Sequence, residues 1–486
     1  MRCVGLDFCA VKGSNAGDCG AVGSRAGVDH GRGRCVAEGG LDGRLVSAVR
    51  EGDAEEVQAL LERGAAPDTL DADGLPVLCR AVAAYDKPVA ETLVEGGADP
   101  DRVLPDGTTP LWRAIDGGSP AVFGAVLGRE PRLRLPESAR QRLLALARSW
   151  YETGAAEELR RRTGAPGPAT TVRVQDNEID HVDQVSLGGL VVRDGHAAIL
   201  TSLEWAFRIL TPVDELIARA VRHADEDHVD WSAASWTLVE RRSYETWSAV
   251  VAHRHHPDPV HRRFVADYLR MRLFVWSGHS YYEKKESELL ATWTAEEADG
   301  ELLTKLLDAF AHYEHPAQEA VALRHAGHPD PRVRREVPYL LTSQDTPLTP
   351  AGRAALRTLI GDPDAGVRVT ACAAGDRDEE LLPEITRTLV LLVEDPDAEV
   401  RWDAAAELAR SRDPAPAVAD ALAALSGDDE QQVRLEAAYG LVRRDDPRTA
   451  EAVERVGPLD ADAFAHDHRV DGIARWRWRQ EDATSE

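Results

Sequence analysis

His328-Pro329-Asp330-Pro331-Arg332-Val333-Arg334 is a phrase that this 486-residue chain uses three more times. The later copies read Asp362-Pro363-Asp364-Ala365-Gly366-Val367-Arg368, Asp395-Pro396-Asp397-Ala398-Glu399-Val400-Arg401 and Asp428-Asp429-Glu430-Gln431-Gln432-Val433-Arg434. Val333, Val367, Val400 and Val433 thus recur at an almost constant interval. A fixed period of this size belongs to stacked units, each too small to bury its own apolar face. The expected fold class is mostly α, a helical-repeat solenoid.

The third copy shows what one unit does physically. Asp395 is expected to cap a helix whose first residue is Pro396, because proline lacks the amide that would go unsatisfied there. Asp397 and Glu399 suit the positive end of that helix. Val400, Ala404, Ala405 and Leu408 then share one narrow face, which lets a neighbouring helix approach closely. Upstream, Leu381, Leu382, Ile385, Leu389 and Leu392 form a second amphipathic pattern, so the unit is a helical hairpin. The same reading applies to Arg353–Ile360 with Val367–Ala374, and to Val418–Leu425 with Val433–Leu441.

The phrase D-P-D-x-x-V-R-x-x-A resembles the core of a HEAT repeat, of the subtype labelled phycobilisome-lyase-like. The fourth copy keeps Asp428, Val433, Arg434 and Ala437 but has Asp429 in place of the proline. The resemblance implies an Asp–Arg ladder between adjacent repeats, with Arg334, Arg368, Arg401 and Arg434 structural rather than a strip for an anionic ligand. Weaker echoes occur at Asp225–Trp231 and at Pro257-Asp258-Pro259-Val260-His261-Arg262. The long gap from Val260 to Val333 leaves room for two units. The array is therefore expected over 201–456, irregular at 201–328 and regular at 329–456, with a tail at 457–486.

A second period begins near Leu41. Ala48, Ala81 and Ala114 recur at one even interval, and Leu60, Leu93 and Val126 recur at the same interval. In Gly107-Thr108-Thr109-Pro110-Leu111-Trp112-Arg113-Ala114, Thr109 is expected to cap a helix begun by Pro110. This segment resembles an ankyrin repeat, whose T-P-L-H-x-A signature is matched except that Trp112 replaces the histidine. The resemblance implies a short ankyrin stack at 42–163, closed by a helical segment from Arg140 to Arg161. It also places Asp73, Asp106, Trp112 and Arg113 on the surface with which such repeats bind proteins. Trp and Arg are the residue types that most often anchor interfaces, yet Trp112 packed between repeats is an equal alternative.

Between the two arrays, residues 164–200 read as a linker and a small insert. Val172, Val174, Val182, Val185, Leu187 and Leu190–Val192 point to short strands with a turn at Asp194-Gly195, and Ala197–Leu210 has helical spacing. Residues 1–41 are glycine-rich without apolar period and are expected to be disordered or to precede the true start near Val28 or Val36.

The net charge of −27 argues against nucleic acid, which needs a surplus of Lys and Arg. Lysine is confined to Lys12, Lys87, Lys284, Lys285 and Lys305. With arginine, alanine and glycine abundant, the chain resembles uncharacterised actinobacterial repeat proteins. No run approaches the roughly 20 apolar residues of a membrane span, and a cytoplasmic location is expected. A zinc site from Cys3, Cys9, Cys19 and Cys35 with His30 lacks any C-x-x-C pair and is not favoured. Cys79 and Cys372 read as buried thiols.

Thirteen of the sixteen histidines lie between His181 and His328, and six of the eleven tryptophans between Trp205 and Trp293. Two explanations stand: a binding face, or a bulkier core in divergent repeats. His253 and His256 have the i, i+3 spacing of a metal pair, but Pro257 ends the segment and no carboxylate follows at ligand spacing. The chain has no His-Glu dipeptide, which counts against di-iron hydroxylase chemistry, and no phosphate-loop, nucleophile-elbow or H-E-x-x-H motif. The reading is a non-enzymatic scaffold for protein partners, with no catalytic residues, cofactor or metal assigned. The alternative is a lyase-like or cofactor-handling protein with its site in the His- and Trp-rich middle.

Overall fold

The computed structural model describes residues 35–275, 282–342, 347–460, 464 and 466–485, which form two compact units, Met1–Arg113 and Ala114–Glu486. The four amino-terminal cysteine and histidine positions Cys3, Cys9, Cys19 and His30 lie outside the described residues, as does most of the stretch 1–41. Helix Cys35–Glu51 takes up the last residues of that stretch.

In the first unit, helices Cys35–Glu51 and Ala54–Glu62 form one pair, and Val77–Ala83 and Lys87–Glu95 form the next. Asp53 caps its helix by accepting the Glu56 amide, and Asp86, one period later, does the same with Val89. These caps use the amides that a helix start leaves unsatisfied. Two finger loops protrude at the same period. Leu70 bridges to Pro76 in antiparallel fashion around Asp71–Leu75, and Leu104 donates to the Thr108 carbonyl at 2.9 Å around Asp106-Gly107.

The second unit contains a helical array and a small sheet. Strands β1 (Thr170–Gln175), β2 (His181–Leu187) and β3 (Leu190–Arg193) pair antiparallel in that order, with Val174 opposite Val182 and Val185 opposite Val192. The valines and leucines expected in strands lie there. The expected turn at Asp194-Gly195 does not join strands: it leads from β3 into helix His196–Ala206, and the β2–β3 reversal falls at Gly188-Gly189. Both glycines have positive φ (59° and 84°), the conformation a two-residue hairpin demands and side chains resist. Val185, Leu187 and Val192 pack on Trp150 and Leu159, while Val182 packs on Ala198 and Val229.

From His196 onward one row of helices packs each on the next: His196–Ala206, Val229–Glu240, Pro259–Val275, Gly300–Ala311, Pro331–Leu341, Ala365–Gly375, Ala398–Arg410 and Gln431–Arg443. A partner helix precedes each later member. Between the row helices beginning at Pro259 and Pro331 stands Gly300–Ala311, so the long gap between Val260 and Val333 does hold two units.

The repeated phrase opens the row helices, but its cap lies later than expected in the third copy. Asp397, not Asp395, caps there, and the helix starts at Ala398 rather than Pro396. Asp395 instead accepts the Asp397 amide at 3.0 Å, closing a turn that leaves the second aspartate free to cap. In the first copy, where Asp330 stands directly before Pro331, proline does open the helix.

The arginine of the phrase fills two roles. Arg401 places Nη1 against the carbonyls of its own Asp395 and Pro396 (2.9 and 3.2 Å) and forks Nε and Nη2 onto Asp428 of the next repeat (2.7 and 3.1 Å). Arg334 repeats this with Asp362 at 2.8 Å for both bonds. Arg368 keeps only the carbonyls of Asp362 and Pro363, and Arg434 ends the series on the Arg455 carbonyl. Arg262, in the irregular region, forks onto Glu297 at 3.2 and 3.3 Å.

Candidate functional site

The four residues picked out in the first unit gather around one finger and the tip before it. Thr109 Oγ1 accepts the Trp112 amide at 3.0 Å, so the helix does open at Pro110. Asp106 accepts the Thr108 amide at 3.0 Å and the Arg113 guanidinium at 2.9 Å, while Arg113 Nε reaches Thr108 Oγ1 at 3.2 Å. Hydrogen bonds from Thr108 and Arg113 hold the Asp106 carboxyl at about 2. Arg113 therefore braces the finger rather than extending free, and Trp112 is half-buried. Asp73 occupies the matching tip of the preceding finger, exposed, with its amide on Asp71 Oδ1 at 2.9 Å. Leu70 and Val103, which hold equivalent positions one period apart, are 46% and 73% exposed on these two loops. Large apolar side chains left in water at matching positions are candidates for contact with a partner.

In the second unit the tryptophan-rich middle divides between core and surface, with Trp236 40% exposed. Trp231, Trp247 and Trp293 are buried, and Trp247 Nε1 donates to buried Glu286 at 2.9 Å. Glu286 also accepts from Arg272 Nε at 2.7 Å and the Tyr313 hydroxyl at 3.0 Å. A shallow groove of about 480 Å³ lies beside it, lined by Tyr244, Trp247, Arg254, Lys285 and Leu289. Burial raises the thiols of Cys79 and Cys372, the latter to about 12, which leaves both unreactive.

The histidines behave differently. His253, His256 and His261 stack, with 3.7 Å between the His256 and His261 ring centres, and His253 Nε2 meets Asp214 at 3.0 Å. They do not converge with a carboxylate on one point. The residues that do are His223, His228 and Asp230, whose ligating atoms all lie within 4.8 Å of one another, the sole such group among the described residues.

The backbone explains how these three meet. Helix Val213–Ala220 tightens into a 3₁₀ turn, Val221–His223, which Ala224 ends with a left-handed φ of 52°. The next loop is tied to β2, because the His181 amide donates to the Asp227 carbonyl at 2.7 Å. His228 then caps helix Val229–Glu240, its Nδ1 accepting the Asp230 amide at a long 3.2 Å. Asp230 turns across to helix His196–Ala206, which lacks a side-chain cap of its own, and accepts the Ala198 amide on Oδ1 at 2.9 Å. A carboxylate is favourable at that positive helix end.

What remains is a buried point with open valences. Asp230 Oδ2 lies 3.4 Å from His223 Nε2 and 3.6 Å from His228 Nδ1. Asp230 Oδ2, His223 Nε2 and His228 Nε2 are all buried without a hydrogen-bond partner. His223 Nδ1 faces Asp183 Oδ2 at 3.9 Å. Contact with Asp230 raises the His223 imidazole, burial lowers that of His228, and burial pushes neighbouring Asp194 up to about 6. Sequence reading missed this group because His228 and Asp230 sit inside Asp225–Trp231, which reads as a faded repeat phrase. A His-x-Asp at a helix start, with His223 shortly before it, was the available signal.

No curated protein matches this chain. Among solved structures, the X-ray structure of Escherichia coli YibA is similar with a TM-score of 0.40 and 16% identity, over 55% of this chain and 93% of that one. Residues 385–464 match the family model described as HEAT repeats, to which this part of the helical array is similar.

Proposed function

We propose that the chain is a protein-binding scaffold, in which an ankyrin-like stack in the first unit and the HEAT array of the second present surfaces to protein partners. HEAT repeats commonly serve this purpose, since stacked helical pairs offer long continuous faces. The observation that carries the reading is the matched pair of fingers, with Leu70 and Val103 exposed and Asp73 and Asp106 at equivalent tips. An apolar contact beside an acidic tip, repeated at one period, suits an extended partner with alternating apolar and basic groups. Trp112 and Arg113 would border that surface, Arg113 by holding Asp106 in place.

The test is affinity capture from the host lysate with the full chain and a Leu70→Asp, Val103→Asp double variant. Both sites are exposed, so the helical circular dichroism should stay unchanged. A protein recovered near stoichiometry by the parent chain and weakened about 30-fold by the variant, the loss of roughly 2 kcal/mol that marks an interface anchor, supports the reading. An identical set of captured proteins from both baits removes the fingers as the docking surface.

A further inference from the structure

We propose that His223, His228 and Asp230 form a binding site for a divalent transition metal, zinc by the character of its donors. Two imidazoles and one carboxylate make a nitrogen–oxygen set that suits zinc better than calcium or magnesium, which prefer oxygen alone. In a tetrahedral zinc site with ligand bonds of about 2.0–2.2 Å, adjacent ligand atoms stand about 3.3–3.6 Å apart. The Asp230 Oδ2 contacts of 3.4 and 3.6 Å already lie at that spacing.

The His223 and His228 rings stack at 3.9 Å between centres, so one ring turns for both nitrogens to reach a single ion. Asp230 is held by its other oxygen on the Ala198 amide, which leaves Oδ2 directed at the histidines. Asp183 Oδ2 stands 3.9 Å behind His223 Nδ1, beyond hydrogen-bond reach but close enough to attract a ring whose other nitrogen binds metal. Asp230 Oδ2 and His223 Nε2 are buried without a hydrogen-bond partner, an expensive condition that a shared ion would relieve for both, while His228 would ligate through Nδ1. Asp183, Asp194 and Asp230 also bring three carboxylates around the point, beside the guanidiniums of Arg222 and Arg173 and the two imidazoles. Ligation by His228 gives up its 3.2 Å bond from the Asp230 amide, the weakest polar contact in the group. Water completes the fourth position on the side of His223, which is partly open to solvent.

Such an ion would tie the 3₁₀ turn after Val213–Ala220 to the start of Val229–Glu240, and through Asp183 to β2. Its role is that of a staple where the sheet meets the first row helices, and the sheet side of the array is the part it stabilises.

The full chain, stripped with a chelator and dialysed against zinc, is measured by elemental analysis and thermal unfolding beside three variants. Asp230→Asn keeps the oxygen that caps Ala198, His223→Ala alters a partly exposed side chain, and His253→Ala disrupts the neighbouring histidine stack. The parent chain and His253→Ala should hold about one zinc per chain and unfold at higher temperature with zinc than without. Asp230→Asn and His223→Ala should lose most of the zinc and the thermal shift, with affinity down about 10–100-fold, while keeping their helical circular dichroism. Cobalt in place of zinc should give a visible spectrum of tetrahedral type. No stoichiometric zinc on the parent chain, zinc retained by both site variants, or zinc lost from His253→Ala overturns the proposal. The first of these outcomes would leave His223 and Asp230 as a buried ion pair and nothing more.

Discussion

The regular helices from Pro331 to Arg443 and the irregular ones from His196 to His325 share one packing scheme, yet hold it together by different means. In the regular part the faces are small, Ala404, Ala405, Ala437 and Ala438 are fully buried, and polar order comes from one arginine used over and over. In the irregular part the faces are bulky and each contact is individual. Glu286 gathers Trp247, Arg272 and Tyr313; Glu204 gathers Thr211 and Arg219; Asp230 gathers Ala198 and two histidines. Repetition makes any one contact dispensable. A buried network of unlike groups does not, because removing one member strands the rest.

The largest effect should therefore come from Glu286→Ala. Arg272 is only 5% exposed at its side chain, and without Glu286 it becomes a buried charge lacking a counter-ion. The expected cost is about 3–5 kcal/mol, read as a shift in the urea midpoint of the full chain. A change as small as that of an exposed charge would break the contrast between the two regions.

Next is a test of close approach in the regular part. A Cβ built on Gly440 would stand 2.9 Å from Ala409 Cβ and from Leu422 Cδ1, tighter than real side chains pack. Gly440→Ala should cost about 1–3 kcal/mol by overpacking, even though alanine is the better helix former. If thermal unfolding shows stabilisation instead, the neighbouring helices are not held at this spacing.

These contrasts also mark how far the chain could be read beforehand. The valine period and the narrow alanine face were legible because they repeat, and a repeat reveals its geometry by spacing alone. The Asp–Arg rungs followed from the same phrase, although the missing rung at Arg368 did not, since Asp395 closes the same turn as Asp362 and Asp428, which keep theirs. Asp395 itself was misread as a cap because two aspartates flank one proline, and only the backbone decides which carboxylate closes the turn and which caps. The tryptophans of the middle carried no period that could separate core from surface, and Trp231, Trp247 and Trp293 prove to be core. The His223, His228 and Asp230 group was hidden for a further reason. Its geometry depends on β2 pairing with the loop at Asp227 and on an uncapped helix at Gly195, neither of which local sequence encodes.

A smaller effect sharpens the comparison within the regular part itself. Arg401 has both its own carbonyl collar and the Asp428 fork, whereas Arg368 has the collar alone. Arg401→Ala should cost about 1.5–3 kcal/mol, as charge-assisted hydrogen bonds do, and Arg368→Ala about 1 kcal/mol. Equal losses in paired denaturation curves would mean that the inter-repeat fork adds nothing to the collar.

The smallest effect is the pH dependence of that difference, and its sign follows from Asp428. The hydrogen bonds from Arg401 hold the Asp428 carboxyl below its ordinary value of 3.8. A group whose folded value is depressed contributes stability that is complete above its unfolded value and lost as pH falls through the folded one. The gap between the parent chain and Arg401→Ala should thus stay constant from about pH 7 to pH 5 and narrow below about pH 4. For Arg368→Ala the gap should hold steadier, because the carbonyls of Asp362 and Pro363 do not titrate. Urea midpoints at several pH values measure both. A gap for Arg401→Ala that is unchanged at about pH 2–3 would place its worth in the carbonyl collar, and the ladder would then order the repeats without adding to their stability.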